Sequence, residues 1–572
     1  MKTFRLDYKK ALNKPVLIAV LLISALVFIV YFSTLKNGFI ADDNYEITGN
    51  VFIKSTSYTK DILTKPSWAF EGKVRDVSNY YRPVQYLIYM LIYNTFGPSA
   101  HGFHVLKIFL HLAVVLLLFF IIRGYFADYK TALVSALFFA VHPIHTEAVT
   151  WISGITDVLV TLFILLCFYC YLYYTKHPDK RYLYASYLMF FIGLFSKETA
   201  FVILPLLILY EFLFNDFKLR MRGLYKYLPY IVIFLIYICC RTYAIGNFIN
   251  REYNKFPGLS AYQCILNPIN LFFMYFWKSL VPLWQNAWYA FYPVKSIQEP
   301  KMIISLLFFI VFSGVVYLLF KNKRKTELFF FAWFLAALSP ILVFFQHIGL
   351  NVFAERYLYL PGVAFCFLLS FYLNRIQKRY LSALIAALII CAYMFLAIER
   401  NRVWQNDLTF WDATAKASPN YAPIIASLGA AYHNRDMYNE AKKEYEKSLS
   451  LDPNCGLGHH GLGLIYLQNG EYDKAAEHFS LAIKSEPARP EFYKNLGATF
   501  LKQGKLEEAI WEFKKALELN NYYWEAYLYL SIAYHNNNQE ALSIQYFEKA
   551  LKYGYKIPAD FLKRLPGKDN NH

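Results

Sequence analysis

Residues 15–32 read PVLIAVLLISALVFIVYF, eighteen positions without one charged side chain. At 1.5 Å per residue such a run, as a helix, nearly covers the roughly 30 Å of a bilayer's hydrocarbon. Comparable runs recur at Val158–Thr175, Met302–Phe320, Leu328–Gln346 and Tyr380–Ile398, and none follows Arg400. The chain of 572 residues is 57% hydrophobic, 20% aromatic and only 17% charged, and the excess is confined to its first 400 residues. A soluble domain carries about 25% charged residues, so these 400 residues read as a polytopic helical membrane domain and the rest as a soluble one. The first run follows a basic stretch (Lys2, Arg5, Lys9, Lys10, Lys14) but is long and has no small-residue cleavage site. It reads as a retained span rather than a signal peptide.

The net charge of +18 invites a nucleic-acid partner. The basic residues, however, flank apolar runs, as topology signals do, so nucleic acid is not expected. Six of eight cysteines (Cys167, Cys170, Cys239, Cys240, Cys366, Cys391) lie within apolar runs and read as packing. Placing the Lys/Arg clusters in the cytoplasm gives eleven spans: 15–34, 103–122, 131–148, 155–175, 182–196, 199–214, 227–245, 302–320, 328–346, 356–374 and 380–398. An odd count sends the tail to the side opposite the N-terminus. Tyr86–Phe96 and Leu271–Leu283 are apolar but short, and read as interfacial helices; counted as spans they would make thirteen and leave the tail on that same side.

From Tyr421 a 34-residue period sets in. Leu428, Leu462, Leu496 and Leu530 recur in phase, followed by Gly429, Gly463, Gly497 and Ser531. Ala441, Ala475 and Ala509 open each second helix, and Tyr445, Phe479, Phe513 and Phe547 fill it. This resembles the tetratricopeptide family, an α-solenoid whose concave face binds polypeptides. The register runs back to Trp411 and Pro419, so Trp404–Ser418 reads as a capping second helix. The expected division is a membrane domain over 1–400 with an outer loop at 36–102, a linker and cap over 401–420, about four repeats over 421–556, and a tail over 557–572.

With sides assigned, ionisable groups collect on one face at the mouths of spans, where they are expensive and point to function. They are Asp42 and Asp43 after the first span, Arg82 at the end of the long loop, then His142, His145, Glu147 and Asp157. Lys197 and Glu198 join the fifth and sixth spans, and Glu355 and Arg356 precede the tenth. Each has a plainer reading as a loop cap or an ion pair. His142-x-x-His145-x-Glu147 could hold a divalent metal, but Pro143 breaks the helix that would align the histidines, so donor or acceptor binding is preferred and no metal is expected. Trp68, Trp151, Trp277, Trp284 and Trp288 could stack sugars, although an aromatic belt at the membrane surface explains them equally well. No Gly-rich phosphate loop is visible, which argues against a nucleotide-sugar.

Asn37-Gly38-Phe39-Ile40-Ala41-Asp42-Asp43, Arg82-Pro83, the stretch from His142 to Asp157, Ser196-Lys197-Glu198, Glu355-Arg356-Tyr357-Leu358-Tyr359-Leu360-Pro361 and Arg402-Val403-Trp404 together resemble one family. It is the transmembrane and tetratricopeptide-repeat-containing O-mannosyltransferases, which are similar to protein O-mannosyltransferases and have the GT-C fold. The resemblance implies a polyprenyl-phosphate sugar donor, mannose as the sugar, a Ser or Thr hydroxyl of an exported protein as acceptor, and no metal for catalysis. It implies a base in the first outer loop, with Asp43 preferred over Asp42. A departing phosphate needs a cation beside it. Arg356 is the candidate, oriented by Glu355, and Lys197 with Glu198 the substitute. The expected location is a bacterial inner membrane, or the endoplasmic reticulum of a eukaryote, with the repeats on the periplasmic or lumenal side. From a different class stands a non-catalytic membrane scaffold that gathers envelope proteins through the repeats.

Overall fold

The computed structural model describes residues 14–75, 79–215, 225–246, 256, 258–289, 291–347 and 351–554. Among these there are helices, turns and loops but no strand. The chain divides into two compact units. Met1–Thr48, Thr56–Ser67 and Asn79–Phe410 form the first, and Gly49–Ser55, Trp68–Ser78 and Trp411–His572 the second. The expected tail over 557–572 lies outside the described residues.

Among the described residues of the first unit eight helices are long and apolar enough to cross a membrane: Lys14–Lys36, Ala100–Tyr125, Ile152–Lys176, Tyr225–Ile245, Pro300–Lys321, Lys325–Phe344, Glu355–Leu373 and Arg379–Val403. A ninth forms if Tyr129–Val141 and Pro143–Thr150, bent by 51°, count as one span. Proline at 143 cannot donate the helix hydrogen bond and crowds the preceding turn, hence the bend. The expected eleven are not reproduced, because 182–196 and 199–214 fall short. Lys180–Ser196 is a helix of 17 residues, and the next, Ile203–Phe214, has only 12. At 1.5 Å per residue these reach about 26 Å and about 18 Å. The break between them is Lys197, whose backbone is extended at φ −162° and ψ 137°. Pro83–Phe96 and Ala261–Leu280 are helical but fall outside the eight.

Helices that face lipid need apolar side chains all round, and here burial separates the roles. Only 11% of the best window of Pro300–Lys321 is buried in the protein, against 72% for Ile152–Lys176 and Glu355–Leu373. The latter two are the interior of the unit, and both carry candidate site residues at their ends.

The second unit is the repeat array. Its helices alternate from Ala422–His433 and Tyr438–Leu451 to Trp524–Asn536 and Glu540–Tyr553. A Cβ on Gly429, Gly463 or Gly497 would sit 2.7, 2.7 or 2.8 Å from the ring of Tyr445, Phe479 or Phe513. Bare backbone at that phase is what lets the aromatic side chain of the paired helix lie flat against it. Each such buried ring removes enough apolar surface from water to stabilise the pair by about 1.5–3 kcal/mol. Two pieces of the first outer loop belong to this unit. The Phe52 ring meets Tyr522 edge-on at 5.3 Å. Gly72, at φ 78°, lies where a Cβ would come within 2.5 Å of the Leu519 carbonyl oxygen and the Asn520 Cα.

Candidate functional site

The loop after the first span is tied down from a distance. The Asn37 amide donates to the Trp404 carbonyl at 2.9 Å, and the Gly38 N–H to the Gln405 carbonyl at 3.1 Å. The Ala41 N–H and Asn44 Nδ2 donate to the Asp407 carboxylate at 2.9 and 3.1 Å. Ala41 takes a left-handed φ of 48°, so the chain turns sharply and the next two side chains part. Asp42 remains half-buried, whereas Asp43 is fully buried.

Asp43 is held on both oxygens. Oδ1 accepts from the Ser153 N–H at 2.8 Å and its hydroxyl at 2.6 Å, and Oδ2 accepts from the Ile40 N–H at 3.3 Å. Beside it Glu46, also buried, accepts from Gln85 Nε2 at 2.9 Å and more distantly from the Tyr86 hydroxyl. Burial pushes the Asp43 carboxyl up to about 7 against the pull of Ser153, and pushes Glu46 up to about 8 with help from its acidic neighbours. Ser153 in turn sits on a turn pinned by a lysine inside an apolar span. Lys107 Nζ donates to the carbonyls of Ala148 at 2.5 Å and Trp151 at 2.7 Å. An ammonium at the end of the short helix Thr146–Thr150 satisfies carbonyls that the helix leaves unpaired.

Around this loop stand three ion pairs built from the candidate residues. Arg82 grips Glu198 with a fork, Nη2 to Oε1 at 2.7 Å and Nε to Oε2 at 3.2 Å. Lys197 Nζ meets Asp157 Oδ1 at 2.5 Å. Arg356 bonds Glu147 through its guanidinium, and its backbone N–H reaches the second oxygen of the same carboxylate at 3.0 Å. Burial by itself would raise Glu198, but the Arg82 guanidinium outweighs it and holds the carboxyl down at about 2.

Two expected pairings are therefore corrected. Glu355 does not orient Arg356. It accepts from the Tyr289 hydroxyl and lies 3.9 Å from Lys278. Nor is Glu198 the partner of Lys197. Neighbours in sequence point apart on a 3-10 turn or an extended backbone, so each finds its counter-ion on another element.

His142 and His145 are fully buried and do not join the ion pairs. His142 Nε2 faces the Ser279 carbonyl at 3.2 Å, and His145 Nδ1 the Phe139 carbonyl at 2.8 Å. Among the described residues no three His, Cys, Asp or Glu side chains gather as metal ligands. Sequence reasoning missed Lys107, Glu46, Ser153 and Asp407. For Lys107 the signal was present, as a lone charge within the apolar run Ala100–Tyr125.

The raised carboxyls set a pH dependence. Asp43 titrates from an ordinary 3.8 when unfolded to about 7 when folded, and Glu46 from 4.5 to about 8. The folded chain thus keeps these protons longer, so their contribution falls as pH rises through roughly 4 to 8. Each unit of difference is worth about 1.4 kcal/mol. Asp43→Asn is expected to flatten the fall in unfolding midpoint over that range, read by thermal unfolding of the detergent-solubilised chain. An unchanged slope would show that Asp43 titrates normally.

Comparison with known proteins bears on both units. Residues 82–243 match the model of the dolichyl-phosphate-mannose-protein mannosyltransferase family, and three overlapping stretches between 430 and 557 match that of the tetratricopeptide repeat. A protein O-mannosyl-transferase of Caenorhabditis elegans is 24% identical over 467 residues, which cover 76% of this chain and 63% of the relative. Protein O-mannosyl-transferase TMTC3 of Mus musculus is 24% identical over 490 residues, covering 77% of this chain and 52% of the relative. A crystal structure of MamA aligns with 26% of this chain and 85% of its own at 23% identity, with a TM-score of 0.23. The chain thus spans between 52% and 63% of the length of these two curated relatives. Over most of its length it is similar to protein O-mannosyl-transferases, with a mannosyltransferase-family match in its membrane unit and tetratricopeptide-repeat matches after it.

Proposed function

We propose that the chain is a membrane glycosyltransferase. It moves mannose from a polyprenyl phosphate to a Ser or Thr hydroxyl of an exported polypeptide held by the repeats. The observation that carries this reading is the division of labour between the two carboxylates after the first span. Asp43 is buried and bonded on both oxygens. Asp42, next to it, is only half-buried. This reverses the preference drawn from sequence: Asp42 is the base and Asp43 the positioning residue that fixes its loop.

In the proposed step the acceptor oxygen attacks the anomeric carbon as Asp42 takes the hydroxyl proton. The bond from that carbon to the phosphate oxygen breaks, and polyprenyl phosphate leaves with the electron pair. A carboxylate within hydrogen-bond reach serves as such a base. The Arg82–Glu198, Lys197–Asp157 and Arg356–Glu147 pairs form a charged wall that resists collapse of the site. The step uses no metal or cofactor. The repeats would face the side from which the lipid-linked sugar is presented, periplasmic in a bacterium and lumenal in the endoplasmic reticulum.

The test is transfer of labelled mannose from synthetic polyprenyl-phosphate mannose to envelope or lumenal proteins by the purified full chain. Label in protein is the expected result. No label from a folded chain that still captures exported proteins would replace this reading with the scaffold.

A further inference from the structure

The charged wall answers each of its cations with hydrogen-bonding carboxylates or carbonyls, and one further cation has buried nitrogens that no such acceptor meets. Arg400, in the last turn of Arg379–Val403, is 7% exposed, and its Nε and Nη2 are buried with no hydrogen-bond partner among the described residues. Its guanidinium lies 5.4 Å from the centre of the Trp404 ring, which stacks on Trp151 at 6.0 Å. The indole N–H groups of both tryptophans are likewise buried and unpartnered. Lys278 stands nearby, donating to the Leu283 carbonyl at 2.8 Å and lying 3.9 Å from Glu355.

Buried guanidinium donors without acceptors are costly, and a fold retains them where an anion completes the shell. Every unpartnered nitrogen here can only donate. Arg400 and Lys278 face one carboxylate, Glu355, so the cluster stays net positive. A net positive cluster suits a phosphate ester, whose oxygens a planar guanidinium can bind in pairs. The place fits as well. Trp151 precedes by two residues the Ser153 that holds Asp43, so the cluster borders the carboxylate loop. Arg356, by contrast, already has Glu147.

We propose that Arg400, supported by Lys278, binds the phosphate of the lipid-linked substrate, in place of Arg356. This rests on the proposed function for the identity of the ligand, while the anion site itself does not.

Binding of sugar-free polyprenyl phosphate to the full chain in detergent, followed by native mass spectrometry, tests it. Arg400→Gln is expected to weaken binding about 10- to 100-fold, Lys278→Gln less, and the exposed control Arg181→Gln not at all. Should Arg400→Gln misfold, Arg400→Lys keeps the charge without the fork and is expected to bind weakly. Wild-type binding by folded Arg400→Gln or Arg400→Lys would overturn the proposal. So would equal, Arg400-dependent binding of inorganic phosphate or phosphatidylglycerol vesicles, which would make the cluster a general anion site. Loss of polyprenyl phosphate binding in Arg400→Gln, from a chain whose wild type transfers no mannose, would keep the site and remove the transferase.

Discussion

Asp42→Asn is expected to lower mannose transfer by about 10²- to 10⁴-fold, the usual contribution of a general base, with little change in donor binding. An amide keeps the size of the side chain but cannot accept the hydroxyl proton. Asp43→Asn should behave differently. Its amide oxygen can still accept from Ser153, but its nitrogen cannot accept from the Ile40 N–H. The loop loosens while the base survives, so kcat falls less and the pH profile of transfer keeps the limb that belongs to the base. If Asp43→Asn abolishes transfer and Asp42→Asn retains it, the roles are the reverse. Side-by-side kcat, KM and pH profiles of the two variants decide between them.

Glu147→Ala should be strongly destabilising to the membrane unit. Glu147 is 1% exposed and accepts from both the guanidinium and the backbone N–H of Arg356. Removing it strands a guanidinium whose side chain is only 16% exposed. Breaking a buried pair from one side typically costs about 3–5 kcal/mol, because the surviving charge has lost both water and partner. Removing both charges costs much less, so Glu147→Ala with Arg356→Met should recover most of the loss. Unfolding midpoints of the single and double variants in detergent give the coupling directly. An additive double variant would mean that the pair contributes little.

The repeats could be read from the chain almost completely. Leu428 to Leu530, the glycines behind them and the aromatics that lie on those glycines recur at a fixed interval, because each repeat buries its face only against its neighbours. The apolar runs were equally plain, since hydropathy over a window is a local property. The span count was not. Segments 182–196 and 199–214 are apolar enough to suggest crossings, yet the extended Lys197 divides them into helices of 17 and 12 residues. Which residue ends a helix depends on the partner its side chain finds, and Asp157 lies 40 positions away.

The candidate residues were legible as a set, since charges at the mouths of apolar spans stand out by their cost. Their pairing was not. Arg356 passes over adjacent Glu355 for Glu147, 209 positions away, and Asp43 is fixed by Ser153, 110 positions away. Arg400 drew no notice because a basic residue at the end of a span is ordinary until its nitrogens prove to be buried. The sequence by itself determined the membrane class, the repeat phase and which residue types gather at the site, because these follow from periodicity and from the cost of charge near hydrocarbon. Only the tertiary structure decided which base meets which acid, which carboxylate is fully buried and which guanidinium nitrogens are left without a hydrogen bond, because those depend on where distant segments close in space.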